Sequence, residues 1–167
     1  IFKTVESTLS DGSTEGLKIV KVEVEEKPTG EISLGAGVGS EGGTIGFSVS
    51  ENNYMGKGIR LVSSLRASQE RITGVFSINN PNYNYTDNSL STSIRSTVTD
   101  RMTDFGYEST NHGFSVGTVF EQYEDFNIAP TISIGYETLD TNQSASASLK
   151  KQEGSYFDTS FKYALDY

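Results

Sequence analysis

Residues 31–50 read EISLGAGVGSEGGTIGFSVS, and this stretch decides the fold class. From Glu31 to Ser40 one parity holds Ile32, Leu34, Ala36 and Val38, while the other holds Ser33, Gly35 and Gly37. After Ser40-Glu41-Gly42-Gly43 the alternation resumes, with Ile45, Phe47 and Val49 opposite Gly46, Ser48 and Ser50. Successive side chains of a strand point to opposite faces, so this period of two predicts two strands joined as a hairpin by a glycine-rich turn. Neither segment carries the i, i+3, i+4, i+7 stripe of a helix.

The same alternation recurs toward the C-terminus. Ile59, Leu61 and Leu65 oppose Arg60, Ser64 and Arg66; Ile72, Phe76 and Ile78 oppose Thr73, Ser77 and Asn79. Leu90, Ile94 and Val98 oppose Ser93, Arg95 and Thr97; Phe114, Val116 and Phe120 oppose Ser115, Gly117 and Glu121. Ile128, Ile132, Ile134 and Tyr136 form a further set, and Phe157, Phe161, Tyr163, Leu165 and Tyr167 the last. Counting from Glu31, about eight strands result, each near the ~9–11 residues that a tilted transmembrane strand needs. Connectors at 52–58, 79–88 and 123–127 are short or turn-rich, whereas 138–154 is long, polar and mobile-looking. Short turns at one end and longer loops at the other is the arrangement of outer-membrane barrels. Pro130 lacks an N–H and is expected to cause a bulge or local break.

Composition agrees with an all-β antiparallel transmembrane barrel. Hydrophobic residues make up 34% of the 167, yet Tyr and Phe number nine each and Gly 17, which is too aromatic for a disordered chain. Low mean hydropathy does not oppose a membrane barrel, because inward-facing polar positions dilute the lipid-facing ones. No run is long and apolar enough for a transmembrane helix. Residue 1 onward carries no basic and apolar leader of the signal-peptide type. With 13 Lys+Arg against 22 Asp+Glu the net charge is −9, which excludes a broad nucleic-acid grip. The absence of Cys removes disulfides, thiolate metal sites and cysteine nucleophiles.

Residues 1–29 read differently. Phe2–Leu9 and Gly16–Glu26 flank Ser10-Asp11-Gly12-Ser13 and form a charged, water-facing hairpin, followed by Lys27-Pro28-Thr29-Gly30. Two units are expected, 1–29 and 30–167, with Thr29 and Gly30 as the hinge. A lone hairpin is marginal in water, so a larger soluble domain is expected around it.

The stretch IVKVEVEEKPTGEISLG at 19–35 resembles the junction between the last POTRA domain and the barrel in the BamA family of outer-membrane assembly factors. Asn52–Gly58 (NNYMGKG) resembles that family's first periplasmic turn, and Asn80-Pro81-Asn82-Tyr83 its N-P-aromatic turn after the fourth barrel strand. The resemblance implies a POTRA-type hairpin followed by about half of a sixteen-stranded barrel, the chain being part of a longer protein. It implies a non-enzymatic insertase of the Gram-negative outer membrane, with 1–29 on the periplasmic side. Such a machine folds and inserts β-barrel proteins without cofactor, metal or covalent step. Its implied partners are the lipid bilayer, unfolded outer-membrane proteins and accessory assembly lipoproteins. It further implies that the seam offered to substrate strands is Ile32, Ser33, Leu34, Gly35, Ala36, Gly37 and Val38. The glycines there equally fit a strand that merely relieves crowding in a curved wall.

Other residues carry expectations of their own. Arg60, Arg66 and Arg95 share the polar parity and are expected to face the lumen. Tyr83, Tyr85 and Tyr123 border turns, where an aromatic girdle meets headgroups. His112, with Asp100, Asp104 and Glu108 nearby in sequence, is placed at a loop–strand border and given no catalytic role. Glu121, Glu124 and Asp125 read as a solvated turn, since no calcium-loop spacing is present. Half a barrel leaves two strand edges to pair with each other or with a second copy. The alternative functions are a stand-alone eight-stranded outer-membrane barrel with a structural, adhesive or pore role, and a lipocalin-like soluble barrel. Alternation alone does not say which face is outside, and that direction separates the last from the others.

Overall fold

The computed structural model describes residues 2–14, 16–39 and 42–167. Strands β1 (Phe2–Asp11) and β2 (Lys18–Glu26) form a two-stranded antiparallel sheet. Eight further strands form one antiparallel meander in chain order. They are β3 (Gly30–Gly39), β4 (Gly42–Tyr54), β5 (Ile59–Ser68), β6 (Arg71–Asn80), β7 (Ser89–Arg101), β8 (Tyr107–Tyr123), β9 (Phe126–Thr141) and β10 (Gly154–Asp166). One short helix, α1 (Ala147–Lys150), lies between β9 and β10. The fold is all-β and antiparallel. Among the described residues β3 and β10 each pair on one side only, so the eight strands form an open sheet.

The register explains why the two parities stay segregated across the sheet. Phe76 faces Ile94, Ile94 faces Phe114, and Phe114 faces Ile134, so apolar side chains form a continuous row. One rung along, on the opposite face, Ser77, Ser93, Ser115, Ser133 and Ser160 form a row of hydroxyls across five strands. Ser93 and Ser115 share a 2.8 Å hydrogen bond, and Thr73 and Thr97 one of 3.3 Å. In β4 the alternation is strict over its first nine residues: Ile45, Phe47 and Val49 are exposed, and Thr44, Gly46, Ser48 and Ser50 are partly covered.

The apolar face is therefore the outside. Buried apolar residues among those described are only Leu139 and Ala145, whereas Ile32, Leu34, Phe47, Phe76, Phe114, Ile134 and Phe161 are all exposed. A water-soluble chain inverts this arrangement, since contiguous exposed apolar surface of more than a few hundred Å² marks a binding or membrane face. The lipocalin-like alternative, which needs an apolar interior, fails on this geometry.

Several expectations are corrected. The segment 138–154 is not a free loop. β9 continues through Thr141, and the residues from Asn142 onward fold down onto the β7–β8 turn. Asn142 N donates to Gly106 O at 2.9 Å, Asn142 Nδ2 donates to Met102 O at 3.1 Å, and Ser146 Oγ caps α1 by accepting from Leu149 N at 3.3 Å. Gly106 has φ +74°, and a Cβ there would lie 2.5 Å from Ala145 N, so the contact requires glycine twice over. Beside it Arg101 Nε pairs with Glu70 at 2.8 Å and its guanidinium lies 5.5 Å from the centre of the Phe105 ring. These contacts tie three hairpin ends together.

At Pro130, where a bulge or local break was expected, the structure has the local break. β9 stays in register with β10 through Pro130↔Tyr163, while its pairing with β8 lapses between Thr131 and Ile128 and then resumes unshifted. The missing N–H thus costs a short gap in one ladder rather than an inserted residue.

The β1–β2 hairpin is amphipathic. Lys3–Glu25 (2.8 Å) and Lys18–Asp11 pair charges across it, while Val5, Leu9, Val20, Val22 and Val24 share one exposed face. Residues 27–29 join the two sheets.

Candidate functional site

The site begins with the edge of β3. Thr29 O accepts from Asn52 N at 3.1 Å, in phase with Glu31↔Ser50 and Ser33↔Ser48. Antiparallel ladders alternate hydrogen-bonded and non-hydrogen-bonded pairs. Thr29, Glu31, Ser33, Gly35 and Gly37 are thereby the residues that bond to β4. The N–H and C=O groups of Ile32, Leu34, Ala36 and Val38 point the other way, toward an edge that no described strand occupies. Their side chains share the outer apolar face, and Val38 is 91% exposed. The seven residues 32–38 thus divide by parity. Four present backbone groups at the edge and side chains outward, and three bond to β4 and face inward.

Gly35, Gly37 and Gly39 have nothing within 4 Å of where a Cβ would stand, so packing does not demand glycine at any of them. What they leave is a strand with little inward side chain and an open space above it.

Thr29 and Gly30 lie within the ladder rather than loose beside it. Gly30 is the first residue of β3, and Thr29 O accepts a second hydrogen bond, from Asn52 Nδ2 at 3.0 Å. Asn52 therefore clamps the start of β3 from the neighbouring strand. The backbone between β2 and this clamp consists of Lys27 and Pro28. Neither the clamp nor Asn52 was apparent from composition; the N-N turn motif at 52–53 was the one available hint. Asn53 also organises that turn, its Oδ1 accepting from Gly58 N at 2.7 Å.

On the inner face beside β3 lies a cleft of about 830 Å³, lined by Arg66, Arg71 and Arg95 among hydroxyl residues, glycines and the apolar residues Leu34, Ala36, Phe47, Leu65 and Val75. Arg60 shares the parity of Arg66 but sits near the β5 turn, opposite Asn79, and does not line the cleft. Arg71 opens β6 on the parity of Thr73, and extending that alternation by one step would have placed it here. Its Nε donates to Thr99 Oγ1 at 3.4 Å.

His112 is corrected. It lies inside β8, on the outer parity with Phe114, and its Nδ1 is 3.0 Å from Ser96 Oγ on β7. No described carboxylate bonds to it, and among the described residues no group of three or more His, Cys, Asp or Glu could hold a metal. A Ser–His pair without an orienting acid amounts to mutual satisfaction of two polar groups on an apolar wall. Ser96→Ala is expected to lower the unfolding free energy in vesicles by about 1 kcal/mol, because the imidazole loses its partner. The double change Ser96→Ala/His112→Leu is expected to restore it, which urea titration followed by circular dichroism would register.

Tyr83, Tyr85 and Tyr123 are exposed at two of the turns at one end of the sheet, with Tyr123 and Phe126 rings 6.4 Å apart. At the last of these turns Glu121 Oε1 accepts from Asp125 N at 2.9 Å.

No family model matches the sequence, and no curated protein matches it at the level of sequence. The fold does match solved structures. One is the crystal structure of BamA from Haemophilus ducreyi lacking POTRA domains 1–3, with a TM-score of 0.73 at 19% identity. The match covers 98% of this chain and 34% of that one, so this chain spans about a third of its length. The clamped start of β3, the eight-stranded meander and the outward apolar wall thus make up a BamA-like fold.

Proposed function

We propose that this chain is part of an outer-membrane insertase that folds and inserts β-barrel proteins by templating their strands on the edge of β3. The observation that carries the reading is the edge itself. Four residues, Ile32, Leu34, Ala36 and Val38, hold backbone donors and acceptors outward on a strand whose side chains belong to an apolar wall. An unpaired edge is a template for another strand. In hydrocarbon each unsatisfied group costs several kcal/mol, so pairing with an incoming strand is strongly favoured. The likeness to the BamA fold supports the same assignment, with the β1–β2 hairpin as the end of a POTRA-type domain on the periplasmic side. Unfolded outer-membrane proteins are then the substrates, accessory lipoproteins the attached partners, and no cofactor enters the cycle. A self-contained eight-stranded barrel would pair β10 with β3, and among the described residues those strands do not pair.

The chain has no Cys, so single thiols can be placed cleanly. With Ala36→Cys and one Cys in the terminal strand of an unfolded barrel client, a disulfide is expected to form during assembly in the membrane of the source cells. Ile72→Cys, on the outer face of the internal strand β6, is expected to give none. Equal trapping at the two positions, or none at Ala36, would sink the templating reading.

A further inference from the structure

The geometry points to a second binding site, distinct from the β3 edge: the inner cleft holds an extended, carboxylate-bearing polypeptide segment through Arg66 and Arg95. The chain as a whole is acidic, with 22 carboxylate residues against 13 Lys and Arg, yet the described lining of the cleft holds Arg66 and Arg95 and no Asp or Glu. Arg66 and Arg95 make no ion pair with any described residue. The inner-face carboxylates in their rows are remote. Arg95 leads through Gly113 and Gly135 to Asp158, three strands away, which is about 14 Å at the usual strand spacing. Arg66 leads through Thr73, Thr97 and Asn111 to Glu137, four strands away or about 19 Å. Glu137 is already engaged by Ser109 Oγ at 2.9 Å. At these separations screening by ordinary salt leaves the two guanidiniums effectively uncompensated by the described carboxylates in their rows.

The shape of the cleft chooses among anions. It extends over strands β3 to β7 and its floor includes Gly35, Gly37 and Gly46, above which there is open space. Ser33, Thr44, Ser48, Ser64 and Thr73 supply hydroxyls around it. Val75 is the one apolar side chain of the inner parity in the lining, so the acyl chains of a lipid would find no surface there. A backbone fits a glycine floor, and hydroxyls bond to peptide groups. Arg66 and Arg95 stand two strands and two residues apart, about 12 Å between Cα atoms, close to the ~13 Å between residues i and i+4 of an extended chain. Two acidic side chains at that spacing and on one face would meet both guanidiniums.

The test uses a fluorescein-labelled, end-blocked heptapeptide of Thr and Ser with Glu at its second and sixth positions, titrated with the protein in neutral detergent and followed by anisotropy. Binding that weakens as salt rises is expected. Arg66→Gln/Arg95→Gln is expected to weaken it by on the order of tenfold per arginine, given the strength of charge-assisted hydrogen bonds. Both arginines are exposed and make no ion pair with a described residue, so the variant's circular dichroism is expected to match the parent; each single change serves if it does not. The same peptide with Gln for Glu is expected not to bind. The proposal is overturned by absent binding, by binding indifferent to the variants, or by displacement with equimolar inorganic phosphate, which would mark a small-anion site. Displacement by anionic phospholipid vesicles but not by neutral ones would overturn it in favour of a headgroup site. None of these readouts depends on client insertion, so this site and the templating edge can fail separately.

Discussion

Phe114→Arg is expected to destabilise the protein in phospholipid vesicles by about 2–4 kcal/mol, the cost of a guanidinium on the lipid face of a membrane barrel near its midplane. Phe114 is suited to the test because it lies near the middle of β8, faces Ile94 and Ile134 in register, and points outward with them. Its replacement therefore puts a charge inside the continuous apolar row of Phe76, Ile94, Phe114 and Ile134. The matched control is Ser133→Arg, one rung away on β9 in the hydroxyl row of the inner face. There the new charge stays among Ser, Thr and water, and the expected change is under about 1 kcal/mol. Urea unfolding in vesicles, followed by far-ultraviolet circular dichroism, measures both. Equal costs, or tolerance of Arg at 114, would mean that the outward face does not lie in hydrocarbon.

That contrast rests on something the amino-acid pattern leaves open. Alternation of Ile45, Phe47 and Val49 with Gly46, Ser48 and Ser50 is readable because strand geometry makes the period two. It says which residues share a face, and nothing about which face is outside. Direction comes from the curvature and the register. The serine row exists only once five strands are aligned, since each contributes a single residue to it. The strands were legible for the same reason that they are regular. Of the bulge or local break that Pro130 suggests, the ladder shows the break, because a proline in a strand can be accommodated by a short lapse in one ladder without the inserted residue that a bulge needs.

The site was legible unevenly. Residues 32–38 could be marked as a unit, yet their division into edge-facing and ladder-facing residues depends on the phase set by the Asn52–Thr29 bond. That bond joins residues 23 apart in sequence, and no local pattern announces it. The polar parity of Arg66 and Arg95 was visible, whereas their convergence with Arg71 required β5, β6 and β7 to be placed side by side. His112 was misplaced because polar residues on both of its sides (Thr110, Asn111, Gly113) look like a loop border. Pairing with Ser96 across the ladder lets the imidazole sit within a strand instead.

The phase of the β3 ladder yields the sharpest test of the templating edge. Leu34→Pro is expected to slow client insertion in the source cells by about tenfold or more, because it deletes one outward N–H and leaves the opposing carbonyl of the incoming strand unpaired. Leu34 sits in a non-hydrogen-bonded pair with Phe47, so no bond to β4 is removed, and proline is tolerated on the open side of an edge strand. Gly35→Pro is the complementary change. It deletes an N–H that belongs to the β3–β4 ladder, and is expected to destabilise the strand itself as well as slowing insertion. The two variants are separated by unfolding in vesicles: Leu34→Pro should retain nearly the parent stability, and Gly35→Pro should lose it. If Leu34→Pro inserts clients at the parent rate while remaining folded, the outward backbone groups of β3 are not the template. If the order is reversed, with Leu34→Pro losing stability and Gly35→Pro keeping it, the phase assigned to the ladder is wrong, and the edge residues would be Ser33, Gly35 and Gly37 instead.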